Sequence, residues 1–309
     1  MRKGWILVTL LVLLASCSRD ASERDGPPDK VKVVVSIPPQ AYFVERVGGN
    51  HVTVEVLADS GQSPHAFEPT PRQMVSIAQA RVYFLIGLPF EQQLIRRIGA
   101  SSENITLADT RARVPLRHLT KPRRHGAGRG PQTRQGQAGD HADDDMDPHI
   151  WLDPKLVKIQ ANTICRALGE LDPVHADNYG RNLAGFQADL DRVDAKIAKA
   201  LSPFSGREFL VFHPAFGYFG ASYGLRQRAV EIGGAQPGPR RVGKLIEYAK
   251  EYGIKVMFVQ RQFSRKAAET LAREIGGAVV PMDPLARDYI RNLEDMADGI
   301  TAALEHTSG

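Results

Sequence analysis

The stretch Pro173–Leu201, PVHADNYGRNLAGFQADLDRVDAKIAKAL, carries apolar side chains at Leu183, Phe186, Leu190, Val193, Ile197 and Leu201 among abundant Asp, Arg and Lys. Every step between these six positions is three or four residues, the signature of one helix with a narrow apolar stripe. Pro173 is placed to open it and Pro203 to close it. At ~1.5 Å per residue such a helix reaches roughly 40 Å, long enough to run along two folded units and stiff enough to resist hinge closure between them.

On either side of this connector the pattern repeats. Short β-branched runs at 32–36, 52–57, 82–86 and 105–108 predict strands, with helical stretches at 41–47, 71–79 and 90–98 between them. After the connector, runs at 209–212, 229–232, 255–259 and 278–281 alternate with helical stretches at 242–252 and 264–275. Strands alternating with amphipathic helices predict βα units around largely parallel sheets. The fold class expected is therefore α/β, two βα lobes with largely parallel sheets joined by one long rigid helix. The lobes are expected at 31–172 and 204–309, with the linking helix at 173–203.

The first residues read as an export leader, with Arg2 and Lys3 ahead of an apolar run from Ile6 to Leu14 that is too short to span a bilayer comfortably. It ends in Leu14, Ala15, Ser16 and Cys17, which resembles a bacterial lipobox and makes Cys17 the expected lipidation site, closing a signal peptide at 1–17. Residues 18–30 are polar and aperiodic, as suits a flexible tether. The expected location is the cell envelope, on the periplasmic or extracytoplasmic face of the membrane holding the anchor. With Cys17 lipidated, Cys165 has no partner for a disulfide, so stability must come from an apolar core. The net charge of +5 is modest, and aromatic and basic residues are not interleaved, which argues against a nucleic-acid partner.

Arg117 to Asp147 breaks the periodic pattern. It is rich in Gly, basic at its start (Lys121, Arg123, Arg124, Arg129, Arg134) and acidic at its end (Asp143, Asp144, Asp145, Asp147), and reads as a long disordered loop. His118, His125 and His141 lie in it, so a mobile metal-collecting loop and a solvated charged insertion stand as equal readings.

Four residues beside prolines carry the chemistry: His65 in Ser63-Pro64-His65, His149 in Asp147-Pro148-His149, His213 in Phe212-His213-Pro214, and Asp283 in Met282-Asp283-Pro284. Imidazole is the commonest side-chain metal ligand, and three nitrogens with one oxygen suit tetrahedral Zn²⁺. Proline stiffens the backbone on which each is held. His213 and Asp283 follow predicted strands directly, and open α/β sheets gather ligands at the carboxyl ends of their strands. His65 and His149 precede the connector and His213 and Asp283 follow it, which places the metal between the lobes. His51, His175 and His306 lack such settings and read as surface residues. Glu68 and Asp153 are candidates to orient His65 and His149 by nearness in sequence alone.

A zinc hydrolase of the envelope is the competing reading, because three histidines can also activate water. No His-Glu-x-x-His or Gly-x-Ser-x-Gly occurs, and a shell closed by Asp283 leaves no open position, which favours carriage over catalysis. An envelope adhesin on the same scaffold is a further alternative.

The motifs resemble those of the metal-binding lipoproteins of bacterial ABC importers for zinc or manganese. The resemblance runs from Val33-Val34-Val35-Ser36-Ile37-Pro38-Pro39 through Ser63-Pro64-His65-Ala66-Phe67-Glu68-Pro69 and Asp147-Pro148-His149-Ile150-Trp151-Leu152-Asp153-Pro154 to Pro281-Met282-Asp283-Pro284-Leu285. It implies two βα lobes joined by one long helix, a metal shell of His65, His149, His213 and Asp283, no covalent chemistry, and delivery of the ion to an ABC permease in the membrane. A monomer is expected. Members with His at the third ligand position are usually zinc carriers and those with Glu manganese carriers, so His213 places Zn²⁺ ahead of Mn²⁺ or iron as the transported ion. The chain departs from many relatives at Gln260, where they have Glu, and its loop holds far fewer histidines than some zinc members.

Overall fold

The first strand, β1 (Val31–Val35), is a valine run in which every residue but Lys32 is buried, as expected of a strand covered on both faces. Five further elements follow in alternation: α1 (Pro38–Gly48), β2 (Val52–Val56), α2 (Pro71–Gln79), β3 (Val82–Leu85) and α3 (Pro89–Gly99), and then β4 (Thr106–Asp109). Proline stands in the first turn of α1 and of α2, where its missing N–H costs nothing. Thr70 and Gln73 close a reciprocal capping box on α2, the Thr70 hydroxyl accepting from Gln73 N and the Gln73 side chain from Thr70 N. The strands pair in parallel in the order β2-β1-β3-β4.

Two long helices then lead to the second lobe: α4 (Pro154–Leu171) and α5 (Ala176–Leu201). The expected helix over 173–201 is present except for its first three residues, Pro173–His175, which form a separate 3-10 turn. Beyond it come β5 (Glu208–Val211), α6 (Gly217–Ser222), β6 (Arg226–Ala229), α7 (Pro239–Glu251), β7 (Val256–Val259), α8 (Arg265–Glu274), β8 (Ala278–Pro281) and α9 (Tyr289–Glu305). This second sheet is also parallel, with the order β6-β5-β7-β8, so the two lobes share one topology. The strand expected at 229–232 lies three residues earlier, because the alternating Arg226, Gln227 and Arg228 mask an edge strand of partly exposed residues. Neither α6 nor α9 was among the expected elements, although the buried residues of α9 (Tyr289, Leu293, Met296, Ala297, Ile300, Ala303, Leu304) keep helical spacing.

The structure, a computed structural model, describes residues 30–99, 105–119, 146–230, 239–261 and 265–305. The leader with Cys17, the tether up to residue 29, residues 120–145 of the long loop with His125 and His141, and His306 lie outside the described residues. At the described ends of that loop His118 pairs with Met146 in an isolated antiparallel bridge.

A single apolar cluster runs through both lobes, with α5 along it. Phe186, Leu190, Val193, Ile197 and Leu201 of the connector are all buried. The rings of Phe43 from α1 and Tyr289 from α9 meet edge to face at 4.8 Å beside Phe186, so the lobes touch each other as well as the helix. A smaller cluster of Leu210, Phe212, Met257, Val259 and neighbours fills the second lobe's other sheet face. Because Phe186 sits where all three helices meet, Phe186→Ala is expected to cost about 3–5 kcal/mol. Urea unfolding followed by circular dichroism and by Trp151 fluorescence tests this, with one coincident transition expected in the unsubstituted chain.

Candidate metal centre

His65, His149 and His213 converge, each offering a nitrogen within 4.8 Å of the others. Their ring centroids are 4.9 to 5.5 Å apart. Each arrives by a different route. His65 stands in a 3-10 turn (Pro64–Ala66) that Pro64 opens after β2, and the next residue, Phe67, anchors the turn by packing edge to face on Phe90 of α3. His149 precedes a 3-10 turn of three buried residues, Ile150–Leu152. Its Trp151 indole donates 2.7 Å to the carbonyl of Pro284 in the opposite lobe.

His213 leaves the carboxyl end of β5, beside β7, at the point where the strand order of the second sheet reverses. Ligand sites of open α/β sheets form at such crevices. Gln260, at the end of β7 and buried, grips the His213 backbone with both ends of its amide, donating 2.8 Å to the carbonyl and accepting from the N–H at 3.3 Å. A carboxylate there could make only the second of these bonds, which gives Gln260 a structural reason to be an amide.

His149 and His213 are almost fully buried and face each other through their Nε2 atoms at 3.2 Å. Two nitrogens bound tetrahedrally to one Zn²⁺ at ~2.0–2.1 Å would lie about 3.3 Å apart. The pair is thus already at ligating separation. His149 Nδ1 lies 2.7 Å from Asp147 Oδ1, which also accepts from His149 N at 3.1 Å. A carboxylate can only accept, so the proton is assigned to Nδ1 and the Nε2 lone pair is directed at His213 and at the place an ion would take. Burial, with His149 and His213 as lesser contributors, pulls His65 down from the ordinary 6.5 to about 3, so it is neutral at physiological pH. Neutral imidazole is the ligating form.

The cavity between the rings, lined also by Ser63, Pro64, Trp151, Ala215, Gln260, Pro284 and Leu285, measures about 20 Å³. That admits one ion or water and excludes organic ligands, whose pockets run to roughly 300–1,000 Å³. A larger cavity of about 240 Å³ lies far from the histidines, at the amino ends of β5 and β7, and is lined by Arg207, Arg226, Tyr248 and Lys255 among others.

Asp283 is not drawn into the triad. Its Oδ1 accepts from Leu285 N at 2.9 Å, and its Oδ2 lies 3.7 Å from exposed Arg261. It is nonetheless adjacent, because Pro284 and Leu285 line the cavity. Neither sequence candidate for orienting the ligands takes that part. Glu68 is exposed, and Asp153 caps α4 through Lys155 N and accepts from the Ser222 hydroxyl of α6, a bond between lobes. The carboxylate bonded to His149 is Asp147, which the Asp-Pro-His spacing could have pointed to, since a two-residue separation lets the side chain bond back to the following backbone. His51 and His175, expected as plain surface residues, stack on each other at 3.8 Å, with His175 bonded to Asp172.

Known proteins resemble the chain in sequence and fold. A family profile described as zinc-uptake complex component A, periplasmic, matches residues 33–303. A crystal structure of ZnuA superposes with a TM-score of 0.79 at 38% identity, over 89% of this chain and 99% of that one. A zinc-bound deletion mutant of ZnuA gives 0.77 at 39% identity, over 89% and 98% of the two chains. The zinc-binding protein AdcA of Streptococcus pyogenes serotype M3 is 28% identical over 92% of this chain and 56% of its own longer one. With its two parallel sheets, long connecting helix and matched residues 33–303, the chain belongs to the ZnuA family, the periplasmic component A of zinc-uptake complexes, a transport component and not an enzyme.

Proposed function

We propose that this chain captures Zn²⁺ between its lobes with His65, His149 and His213 as three ligands and Asp283 as the fourth, and passes the ion to a membrane permease. The observation that carries the reading is the convergence of three imidazoles, two of them already at the separation a tetrahedral ion requires. As a member of its family the chain is the extracytoplasmic binding component of an importer, so a permease is its partner and the ion its cargo. No helix among the described residues is long and apolar enough to cross a membrane. In our reading a lipid on Cys17 holds the chain at the membrane, residues 18–30 tether it, and it works as a monomer with lobes at 31–172 and 204–309 on either side of the 173–203 linker.

An all-nitrogen triad supports zinc over manganese, because imidazole suits Zn²⁺ better than the harder Mn²⁺. Asp283 joins by giving up Arg261, a loose partner at 3.7 Å with an exposed side chain, for the incoming cation. Charge favours the exchange, since neutral imidazoles leave the ion's two charges uncompensated.

Competition titration of the apoprotein is expected to show zinc bound far more tightly than manganese. His149→Ala and His213→Ala each lower zinc affinity by more than the roughly 10–100-fold typical of losing an outer partner, and Asp283→Asn lowers it less. Tighter binding of manganese, or full zinc affinity in His149→Ala and His213→Ala, contradicts the proposal. The lowered His65 pKa gives a second test. Its folded value of about 3 lies below the unfolded 6.5, so between these the unfolded chain binds more protons and apoprotein stability falls as pH falls. Denaturant titrations from pH 7 to 4 are expected to show that slope reduced in His65→Ala.

A further inference from the structure

The two described ends of the long loop do more than close it. Arg117 and Asp147, next to the His118 and Met146 bridge and joined by a 2.8 Å bond from Asp147 N to the Arg117 carbonyl, both reach across to α6 of the second lobe. The Tyr218 hydroxyl accepts from Arg117 N at 2.9 Å and donates to the Asp147 carbonyl at 3.2 Å. The Arg117 guanidinium donates to the Gly217 carbonyl and lies 5.4 Å over the Tyr218 ring. Asp147 itself is 1% exposed; its Oδ1 serves His149, while among the described residues its Oδ2 has no hydrogen bond and lies 3.7 Å from Arg117 Nε.

A buried carboxylate oxygen without a hydrogen bond is costly to the fold, and a group kept at such a cost calls for an explanation. Here it lies in the geometry of the metal ligand. A carboxylate bonded to the far nitrogen of a ligating imidazole fixes ring, tautomer and basicity together. Gly217 makes room for it: a Cβ at that position would stand 2.8 Å from Asp147 Oδ2 and 3.1 Å from Arg117 Cζ. The glycine on α6 therefore determines how closely the carboxylate, and with it His149, can approach the second lobe.

We propose that Asp147 is the positioning residue of the metal centre, held by Arg117 and by the Gly217-Tyr218 end of α6 so that the His149 ring is aimed at the opposite lobe. Arg117 acts through Asp147, and Asp147 acts through His149; neither touches the ion.

The inference rests on the proposed zinc shell, and two substitutions remote from the ion test it. Asp147→Leu removes the acceptor at similar volume, and Gly217→Ala pushes the carboxylate away while leaving Asp147 and all three histidines in place. Each is expected to lower zinc affinity about 10–100-fold in competition titrations on the full chain. Nitrogen-15 spectra of the Asp147→Leu apoprotein are expected to show the His149 proton moving from Nδ1 toward Nε2, which a merely structural role would not produce. Affinity within about threefold of the unsubstituted chain in both variants overturns the proposal, since a lost outer partner costs at least tenfold. An unshifted His149 tautomer in Asp147→Leu overturns it too. His149→Ala measured alongside separates the failures: if it keeps full zinc affinity, the shell itself is wrong, and if it loses affinity while the two remote variants keep theirs, only the positioning role falls.

Discussion

The apolar stripe of α5 is buried by both lobes at once, and the metal centre depends on that burial. Phe186, Leu190, Val193, Ile197 and Leu201 cannot leave the common core without exposing apolar surface, at about 25 cal/mol per Å². The direct contact of Phe43 with Tyr289 adds a lobe-to-lobe seam. Nearer the site the Trp151 indole bonds the Pro284 carbonyl and the Ser222 hydroxyl bonds Asp153, so polar groups fix what the core only holds together. The consequence is that ligands from two separately folded sheets meet with little freedom to separate. Preorganisation of this kind lets an ion bind without first ordering its ligands.

Desolvation then prepares the chemistry. The His65 imidazole resists protonation, since burial disfavours its charged form and the neighbouring His149 and His213 add to that. It therefore presents a lone pair where a solvated histidine near pH 6 would compete with a proton. Cavity size fits this role, because about 20 Å³ has room for one ion or water. A carrier needs just these properties: dry neutral nitrogens, a preset separation, and one carboxylate near enough to balance charge.

Much of this was legible in the sequence, and the exceptions have physical causes. The connector stripe gave its helix to within three residues, because helical period is local and the stripe is long. The two-lobe, parallel-sheet architecture followed from alternation, whereas β6 was misplaced since its partly exposed edge residues lack a hydrophobic pattern. Proline-flanked histidines led to His65, His149 and His213, which the fold brings together. Sequence proximity failed for the carboxylates. Glu68 and Asp153 lie three and four residues from His65 and His149, Asp147 only two from His149, and it is the backbone geometry that shows Asp147 turning back onto the ring. Asp283 sits next to the cavity but bonded elsewhere, a distinction that no spacing encodes. The stacking of His51 on His175 was equally invisible, because it joins residues 124 positions apart through the packing of helix ends.

The central claim is that one zinc ion is bound between the lobes by three imidazoles contributed from both. X-ray absorption at the zinc edge of the stoichiometrically loaded protein tests it most directly. The account predicts three imidazole nitrogens and one oxygen at about 2.0–2.2 Å, with one imidazole lost in each of His65→Ala, His149→Ala and His213→Ala. A spectrum with fewer than three imidazoles in the unsubstituted chain, or with a sulfur at about 2.3 Å, contradicts it.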